Sequence, residues 1–343
     1  MASDGRLKGL LRAAGAAALL CTAAGAATKA PEPQELLRRV AAGPTGAYEG
    51  RMEVIRWYGK KTRAEEARVY FDPPNRYRWE FLAPDGRPER LVVSDGSKEH
   101  VYLPREKRVL EGDAVKSSPK PSGPDEDIEL LLRNYRVASL GEGTRAGRKV
   151  WGLEISPLAA GKPSQRMWID QETSAVLESR LFREKGSFTV LSRLSHFTPR
   201  PDIDDELFTL SIPTGSVVSE HGLDPDYLSL EELRRAAGGK VTFPRDLPAG
   251  FVFESADFFE VGRGTVRQAR YTDGLAVVSV FQTARPVRLP KDAILEPAGP
   301  MRPGELGLTS SGRFMRFQRG RTFYTLIGDV SQDLLEQLAA RLK

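Results

Sequence analysis

The stretch Tyr271-Thr-Asp-Gly-Leu-Ala-Val-Val-Ser-Val-Phe-Gln282 contains a turn signal between two segments that favour β-structure. The dipeptide Asp273-Gly274 suits the two positive φ angles of a type I′ turn, the usual connection of a tight antiparallel hairpin. The segments Val266–Tyr271 and Leu275–Phe281, on either side of it, are predicted to be strands. The sequence therefore predicts a β-hairpin near the C-terminus.

The residues around this hairpin predict a small α+β domain. Further strands are expected near Phe251–Phe259, Phe314–Gln318 and Thr322–Ile327. Ser331 can cap a terminal helix whose leucines recur at helical spacing. Upstream, Ser229-Leu-Glu-Glu232 has the spacing of a capping box and predicts a short helix.

The region before residue 215 predicts a long antiparallel sheet. In Arg76-Tyr-Arg-Trp-Glu-Phe81, aromatic and charged residues alternate, which gives the strand one apolar and one polar face. Helices are predicted at Pro33–Ala42 and Asp125–Tyr135. Similar strands are predicted at Gly50–Trp57, Ala67–Phe71, Arg90–Ser94, Glu99–Leu103, Lys149–Ile155, Arg166–Asp170, Ala175–Phe182 and Phe188–Phe197.

The N-terminus predicts export. A cationic segment precedes Ala13–Ala27, an uncharged run shorter than the ~20 residues that a spanning helix needs. A secretory signal peptide has this length and ends in small residues such as Ala24-Gly25-Ala26. We therefore expect a cleaved signal peptide over residues 1–27 and a periplasmic mature protein, with no second apolar stretch of spanning length.

Cys21 is the only cysteine of the 343 residues and lies inside this predicted leader. The mature chain would then contain no thiol for a disulfide or a thiolate metal site. Leu19 and Leu20 precede Cys21, whereas lipid attachment requires small residues there. An apolar residue in a cleaved segment is therefore the preferred interpretation, and a lipid anchor at Cys21 is the alternative.

Charge and motifs argue against nucleic-acid binding and catalysis. Loss of residues 1–27 removes three cations and one anion, which lowers the formal charge from +5 to +3; this is too mild for a nucleic-acid-binding surface. The three histidines, at 100, 196 and 221, have no metal-ligand spacing. Gly141-Glu-Gly143 and Gly262-Arg-Gly264 lack the continuation of a nucleotide-binding loop and are predicted to be hairpin turns. We expect neither an enzyme nor a cofactor.

Two units are expected because a chain of this length is long for one core. The predicted boundaries are residues 28–215 for the first domain, 216–239 for a linker with a short helix, and 240–343 for the second domain. The loop at Ser117–Pro124, rich in Ser, Pro and Lys, is expected to be exposed within the first domain.

The apolar side of the first sheet is expected to carry more aromatic area than a thin sheet needs. For each aromatic residue an ordinary core position is the alternative, because large apolar side chains are usually buried. A curved sheet with few helical covers would also leave an apolar cavity suited to an acyl chain. The candidate ligand-binding residues are Trp57, Tyr77, Trp79, Phe81, Trp151 and Trp168.

These features resemble the MucB/RseB family of periplasmic regulators. The second unit carries the resemblance most specifically, in Tyr271–Phe281 and in Tyr324-Thr-Leu-Ile-Gly-Asp-Val330. The first unit is similar to the lipoprotein carriers LolA and LolB through Pro74-Asn-Arg-Tyr-Arg78, Val93-Ser-Asp-Gly96 and Leu207-Phe208. The Lys116–Pro124 loop and Pro286–Pro303 do not match these patterns.

The resemblance implies an α+β fold: a LolA-like half-open antiparallel β-barrel covered by helices, followed by a smaller C-terminal α+β domain. It also implies a function in an envelope-stress sigma-factor pathway. The half-barrel would bind lipid or a mislocalised lipoprotein, and the C-terminal domain would bind the periplasmic part of a membrane-bound anti-sigma factor. Such a switch requires that the ligand favour one domain arrangement over another.

Partner contacts are expected on the second domain, where cationic residues could pair with an acidic segment. The alternative is that each of these side chains only keeps the surface hydrated, because exposed charges contribute little individually. The candidate partner-binding residues are Arg267, Arg270, Tyr271, Arg316, Arg319 and Arg321.

Two further functions stay open at this level. A LolA-like carrier would shuttle lipid or lipoprotein across the periplasm, with the second domain as a docking accessory. A structural envelope protein would have a solidly packed sheet without a cavity. Because LolA-type carriers are a single unit, the second domain favours the regulator; the sequence leaves homo-oligomers possible.

Overall fold

The computed structural model describes ten segments of the chain. The predicted signal peptide with Cys21, residues 117–123 of the predicted loop, and residues 221–228 of the predicted linker lie outside them. The described residues are 30–83, 85–114, 124–183, 188–220, 229–237, 241–261, 264–286, 293–296, 305–309 and 312–342.

A sheet of twelve strands occupies the N-terminal part of the described chain. Its strands are β1 (Tyr48–Tyr58), β2 (Lys61–Asp72), β3 (Arg76–Leu82), β4 (Pro88–Asp95), β5 (Lys98–Leu103), β6 (Arg108–Asp113), β7 (Tyr135–Arg145), β8 (Arg148–Pro157), β9 (Ser164–Asp170), β10 (Val176–Phe182), β11 (Phe188–Pro199) and β12 (Val217–Glu220).

This first sheet consists of two meanders joined side by side. The strand order is β12-β6-β5-β4-β3-β2-β1-β11-β10-β9-β8-β7, so β1 to β6 run outward on one side of the β1–β11 pair and β11 to β7 on the other. Neighbouring strands are antiparallel except β12, which pairs parallel to β6. Within the described residues β7 and β12 are free edges, and the sheet is open.

Two helices cover one face of strands β7 to β9. Helix α1 (Pro33–Ala42) begins with a proline at its first position, where no intrahelical N–H bond is lost. It packs with α2 (Pro124–Asn134) on a cluster that includes Trp151 and Leu153. Val150, which points to the opposite side of β8, belongs to a second cluster with Val69 and Leu194. The first sheet is therefore apolar on both faces in this region.

A second sheet of eight strands follows, in the order β13-β14-β15-β16-β20-β19-β18-β17. Helices α3 (Leu230–Ala236) and α4 (Gln332–Arg341) pack on its core with Tyr271, Val278 and Leu326. Its strands are β13 (Asp246–Leu247), β14 (Phe251–Val261), β15 (Gly264–Thr272), β16 (Val277–Thr283), β17 (Ile294–Glu296), β18 (Glu305–Thr309), β19 (Gly312–Arg319) and β20 (Thr322–Gly328).

The helix caps predicted from sequence are confirmed. Ser229 accepts a hydrogen bond from the Glu232 backbone, and the Glu232 side chain accepts one in return from the Ser229 backbone, which completes the capping box of α3. Ser331 Oγ accepts the Leu334 N–H at 3.1 Å and caps α4. Of the described helices, none combines the length and apolar character needed to cross a membrane.

Two predicted turns are wrong in detail. The β15–β16 hairpin exists, but Thr272 pairs with Val277, so its connection has four residues rather than two. Asp273 does not adopt a positive φ; its carboxylate instead accepts the Leu275 and Ala276 N–H groups at 3.1 and 2.8 Å. Gly141-Glu-Gly143 lies inside β7 at an irregularity of register rather than in a hairpin turn.

Candidate functional site

Three aromatic side chains form a row along β3 in the first sheet. The ring centroids of Tyr77 and Trp79 are 5.3 Å apart, and those of Trp79 and Phe81 are 6.5 Å apart in an edge-on arrangement. Trp79 pairs with Val69 on β2 and Val92 on β4, both buried. Trp79 itself is 37% exposed, an unusual position for so large an apolar side chain. We call Tyr77, Trp79 and Phe81 the aromatic row.

Polar contacts fix both ends of the aromatic row. The Tyr77 hydroxyl donates a hydrogen bond to the buried Glu99 carboxylate. At the other end the Arg90 guanidinium lies 3.8 Å from the Phe81 ring centroid, a cation–π contact. A cavity of about 230 Å³ opens beside Phe81 and Arg90, and its lining also includes charged residues of both signs: Arg63, Arg105, Glu65, Glu89 and Glu106. An amphiphile lying along the row would therefore meet charged groups of both signs at the Phe81 end.

The other three predicted ligand-binding residues do not join the row. Residues alternate between faces along a strand, and Tyr58 pairs with Lys61 while Trp57 pairs with Thr62. The even-numbered residues of β1 share the face of Trp79, so Trp57 points to the other face. The expectation of one common face is wrong for Trp57. Its face depends on how β1 aligns with β2, which the alternation within β1 does not specify.

Trp151 and Trp168 are held in packed surroundings. Trp151 is 4% exposed and belongs to the cluster beneath α1 and α2, so it is a core residue. Trp168 lies between two guanidinium groups, with Arg145 at 4.4 Å and Arg180 at 4.8 Å from a ring of its indole. Trp168 packs against the same core cluster as Phe81.

The predicted partner-binding arginines divide between the two faces of the second sheet. Arg270 pairs in register with Ser279, and Arg316 pairs with Thr325, which in turn pairs with Phe281. Ser279 and Phe281 line the cleft described below, so both arginines lie on the face of the sheet toward that cleft. Arg267 pairs with Gln282, which pairs with the core residue Tyr324, so Arg267 lies on the opposite face. These side chains therefore do not form one continuous surface.

Most of these arginines have contacts within the chain. Arg270 lies 3.2 Å from Glu254, and Arg316 pairs with Glu305. Arg319 donates to the Leu342 carbonyl at the end of α4, and Arg267 lies 5.9 Å from the Phe258 ring centroid. Arg321 is exposed in the turn between β19 and β20. Of the set, Arg321 has the position best suited to a partner contact.

Tyr271 is a correction to the predicted partner surface. Its side chain is fully buried in the core of the second sheet, and its hydroxyl donates to the Pro244 carbonyl at 2.6 Å. Burial raises the pKa of the Tyr271 hydroxyl, which stays protonated as a donor. The alternation of β15 that places Ala269 in the core also places Tyr271 there, so its side chain cannot reach a partner.

A cleft of about 420 Å³ lies between the two sheets. Leu181 and Pro163 line it from the first sheet's side, and Val277, Phe281 and Ile327 from the second. This volume falls within the ~300–1,000 Å³ range of small-molecule sites. Near it, Arg183 of the first part donates to Asp329 of the second at 2.6 Å.

A buried group of polar residues joins the two sheets beside this cleft. Lys162 Nζ lies 3.1 Å from Asp273 Oδ2, and the two side chains are 1% and 0% exposed. The Tyr135 hydroxyl donates to the same Asp273 oxygen at 2.8 Å. Asn134 accepts from Lys162 at 2.9 Å and donates to the Asp273 carbonyl at 3.0 Å. We call Asn134, Tyr135, Lys162 and Asp273 the inter-sheet cluster.

The electrostatics of the inter-sheet cluster are internally balanced. Burial, with the negative charge of Asp273 beside it, raises the pKa of Tyr135 far above its ordinary value, so the hydroxyl remains a donor. Lys162 Nζ also lies 5.4 Å from the Tyr135 ring centroid and 5.6 Å from that of Phe251. Each buried charge thus has an opposite charge and further polar or aromatic contacts.

Sequence reasoning missed this cluster because its members have no shared local pattern. Asp273 was assigned to a tight hairpin turn, and Lys162 follows an exposed loop and carries no motif. Only the close approach of the two sheets brings Asp273 and Lys162 together. Within the described ranges, no group of three or more His, Cys, Asp or Glu side chains is placed to hold a metal ion.

Comparison with known proteins identifies the fold. Residues 44–208 match the family model of the MucB/RseB N-terminal domain. The chain is similar to the crystal structure of the Pseudomonas aeruginosa MucA/MucB complex, with a TM-score of 0.58 and 18% identity over 90% of this chain and 97% of that one. MucB in complex with MucA(peri) gives a TM-score of 0.56 with the same identity and coverage, and MucB alone gives 0.51 at 17% identity, covering 90% of this chain and 96% of that one.

The chain has the fold of these MucB structures, and its residues 44–208 belong to the MucB/RseB N-terminal domain family. The resemblance found in the sequence is thereby confirmed. A curated relative from Methanocaldococcus jannaschii, an uncharacterized protein, is 22% identical over 198 residues, 57% of this chain. The alignment spans about half of that relative, 55% of its length.

Proposed function

We propose that this protein is a periplasmic negative regulator of an envelope-stress sigma-factor pathway. In this role it binds the periplasmic part of a membrane-bound anti-sigma factor and releases it when lipid or a mislocalised lipoprotein arrives. One observation carries the proposal: the likeness to MucB, which forms a complex with MucA, covers 90% of this chain and therefore includes both sheets. We also propose the domain division at residues 28–215, 216–239 and 240–343.

The partner-binding part of the proposal rests on the second sheet. Arg270 and Arg316 lie on its cleft-facing side, and Arg321 is exposed at a turn. Arg321 would pair with an acidic segment of the anti-sigma factor, whereas Arg270 and Arg316 already contact Glu254 and Glu305. Charged groups at the edge of an interface mainly accelerate association and select the partner, while apolar contacts supply most of the affinity.

The lipid-binding part rests on the aromatic row. Trp79 is partly exposed beside buried Val69 and Val92, so an acyl chain lying there would cover apolar surface that water now contacts. Each buried methylene contributes about 0.8 kcal/mol. Arg90, which lies over the Phe81 ring, could bind an anionic headgroup, whereas Arg63 beside it is paired with Glu65. We therefore narrow the predicted lipid contacts to Tyr77, Trp79 and Phe81.

Tryptophan fluorescence tests this assignment. The chain has four tryptophans, and bromine on an acyl chain quenches those it touches. A phosphatidylglycerol with a brominated stearoyl chain should quench the parent and Trp57→Phe, because Trp57 lies on the opposite face. Trp79→Phe should lose most of the quenching. Equal quenching of Trp79→Phe and the parent would place the lipid elsewhere; the unbrominated lipid controls for conformational effects.

A lipid or lipoprotein carrier of the LolA type is the second candidate. The observation that favours it is that the aromatic row lies wholly within the first sheet, so lipid binding by itself needs no second sheet. A carrier would bind lipid without a stable membrane-protein partner. The two functions therefore differ in which molecules the immobilised full chain would retain from an envelope extract.

A capture experiment separates the regulator from the carrier. The full chain is immobilised, exposed to a detergent extract of the native envelope, and the retained proteins are identified by mass spectrometry. The regulator predicts a single-pass membrane protein with a cytoplasmic sigma-binding segment, eluted by added lipid. Retention of lipid or lipoproteins alone would contradict the regulator and support the carrier.

A further inference from the structure

We propose that the inter-sheet cluster is a polar lock that holds the two sheets in one arrangement and sets how often they separate. The proposal rests on the buried pair of Lys162, from the part of the chain that forms the first sheet, and Asp273, from the part that forms the second. Tyr135 donates a hydrogen bond to the same Asp273 carboxylate. The proposal concerns the isolated protein and does not depend on the proposed partner or lipid.

The location of the cluster gives it this role. Asp273 lies in the β15–β16 turn, which inserts against α2 of the first part of the chain. At the α2–β7 junction, Asn134 donates to the carbonyl of Asp273 and Tyr135 donates to its side chain. The cluster therefore fixes the position of a turn that belongs to the second sheet by contacts that belong to the first.

The chemistry of the cluster makes the contact reversible. A buried ion pair recovers in Coulomb attraction roughly what it loses in hydration, so it adds little net stability compared with an apolar contact of the same size. When the sheets separate, Lys162 and Asp273 both regain water. If one charge is removed, the other stays buried without its partner in the closed arrangement, and only separation relieves it.

The same turn also lines the cleft. Leu275 and Ala276 contribute to the wall of the 420 Å³ space, two and three residues after Asp273. A displacement of the turn by any occupant of the cleft would therefore stretch the contacts of Asp273. Coupling of this kind needs only that the occupied and locked arrangements differ in free energy.

Distance measurement between spin labels tests the lock. Cys21 is the only cysteine, so the full chain with Cys21→Ala can carry labels at Thr144→Cys on β7 and Gln337→Cys on α4, both exposed. Double electron–electron resonance then reports the distribution of distances between the two sheets. The parent is expected to show one dominant distance.

Four variants are expected to populate a longer distance. Lys162→Met and Asp273→Asn should each raise the separated population at least about tenfold, since each leaves one buried charge without its partner. Asp273→Asn keeps the oxygen that caps the turn. The double variant should show a smaller increase than the product of the two single effects, because no buried charge remains. Tyr135→Phe, which keeps both charges, should raise the separated population about threefold to tenfold.

Matched substitutions outside the cluster control for general effects. Lys149→Met removes an exposed lysine, and Tyr271→Phe removes a buried hydroxyl bonded within the second sheet. Both should keep the parent distance distribution. The proposal is overturned if folded Lys162→Met or Asp273→Asn also keeps it, and it is equally overturned if these two fail to fold while Tyr135→Phe folds with the parent distribution.

Discussion

Gly274, in the turn between β15 and β16, lies directly against the backbone of Leu131 in α2. A Cβ atom at residue 274 would be 2.5 Å from the Leu131 nitrogen and 2.6 Å from its Cα. The φ angle of Gly274 is +98°, in the region that residues with a side chain rarely adopt. The glycine thus permits both the turn and the insertion of the turn between α2 and the second sheet.

Gly274→Ala is expected to be strongly destabilising because it combines backbone strain with a clash against main-chain atoms. Gly147→Ala is the matched control, since Gly147 also has a positive φ but has open space around its Cβ position. We expect a loss in the free energy of unfolding of about 1 kcal/mol for Gly147→Ala and about 2–4 kcal/mol for Gly274→Ala. Urea denaturation measures both; equal losses would show that the contact with Leu131 is not tight.

The acid dependence of stability is expected to reflect the pair of Arg148 and Asp170. Arg148 donates to both Asp170 carboxylate oxygens at 2.8 and 2.9 Å, and Thr173 adds two further hydrogen bonds. Burial alone would raise the pKa of Asp170, but these hydrogen bonds outweigh it and hold the pKa below its ordinary value. The charged form is therefore favoured by folding.

The pH dependence of this contribution follows from the direction of the shift. The folded pKa lies below the unfolded value of about 3.9. The contribution of Asp170 is thus complete above about pH 4 and decreases as the pH falls through the folded pKa. Asp170→Asn should cost about 2 kcal/mol at pH 7, and the difference from the parent should shrink toward pH 2.

Glu172→Gln provides the control for Asp170→Asn. Glu172 binds the same arginine at 2.9 Å, but its side chain is 77% exposed. An exposed ion pair contributes little, so the expected loss is below about 0.5 kcal/mol. Denaturation of both variants between pH 2 and 7 makes the comparison. A cost for Asp170→Asn that did not change with pH would contradict the lowered pKa.

The two serine caps should differ in importance because they differ in burial. Ser331 is buried and caps α4, and its backbone N–H also donates to the Gly161 carbonyl at 2.8 Å. Ser229 is exposed and caps α3. Without the Ser331 hydroxyl the buried Leu334 N–H has no acceptor, whereas water can replace the Ser229 hydroxyl. We expect losses of about 2 and 0.5–1 kcal/mol for Ser331→Ala and Ser229→Ala in thermal unfolding; the reverse order would be inconsistent with this explanation.

Partner binding is expected to depend on charge at Arg321. Arg321→Glu should slow association with the anti-sigma segment by about threefold to tenfold at low salt, and the effect should shrink as salt is added. Lys149→Glu makes the same charge change on the first sheet and should leave the rate unchanged. Surface plasmon resonance with the captured partner measures both rates. A uniform loss in both variants would point to net charge rather than to a contact at Arg321.

Local patterns were sufficient to predict much of the secondary structure. The alternation in Arg76–Leu82, the capping box of α3, the serine cap of α4 and the apolar spacings of α1 and α4 follow from adjacent residues, and the structure agrees. Strands β6, β7, β12, β13, β17 and β18 were not predicted. β7 contains Gly141 and Gly143 and a break in register, and β12 has four residues whose pairing with β6 is distant in sequence.

The candidate site was harder to predict because it depends on how strands align. Tyr77, Trp79 and Phe81 share a face through alternation within one strand, and this relationship held. Whether Trp57 joins them depends on the register of β1 with β2, which no local pattern specifies. The burial of Asp273 depends on Tyr135 and Lys162, more than a hundred residues away in sequence.

The most direct test of the proposed regulator is whether lipid weakens partner binding. Isothermal titration calorimetry would give the Kd of the full chain for the periplasmic segment of the captured anti-sigma factor, with and without saturating phosphatidylglycerol. The account predicts that lipid raises this Kd at least about tenfold, and that the partner raises the Kd for lipid by the same factor, because coupling between two sites is reciprocal. An unchanged Kd, with lipid binding verified by tryptophan quenching, would contradict it.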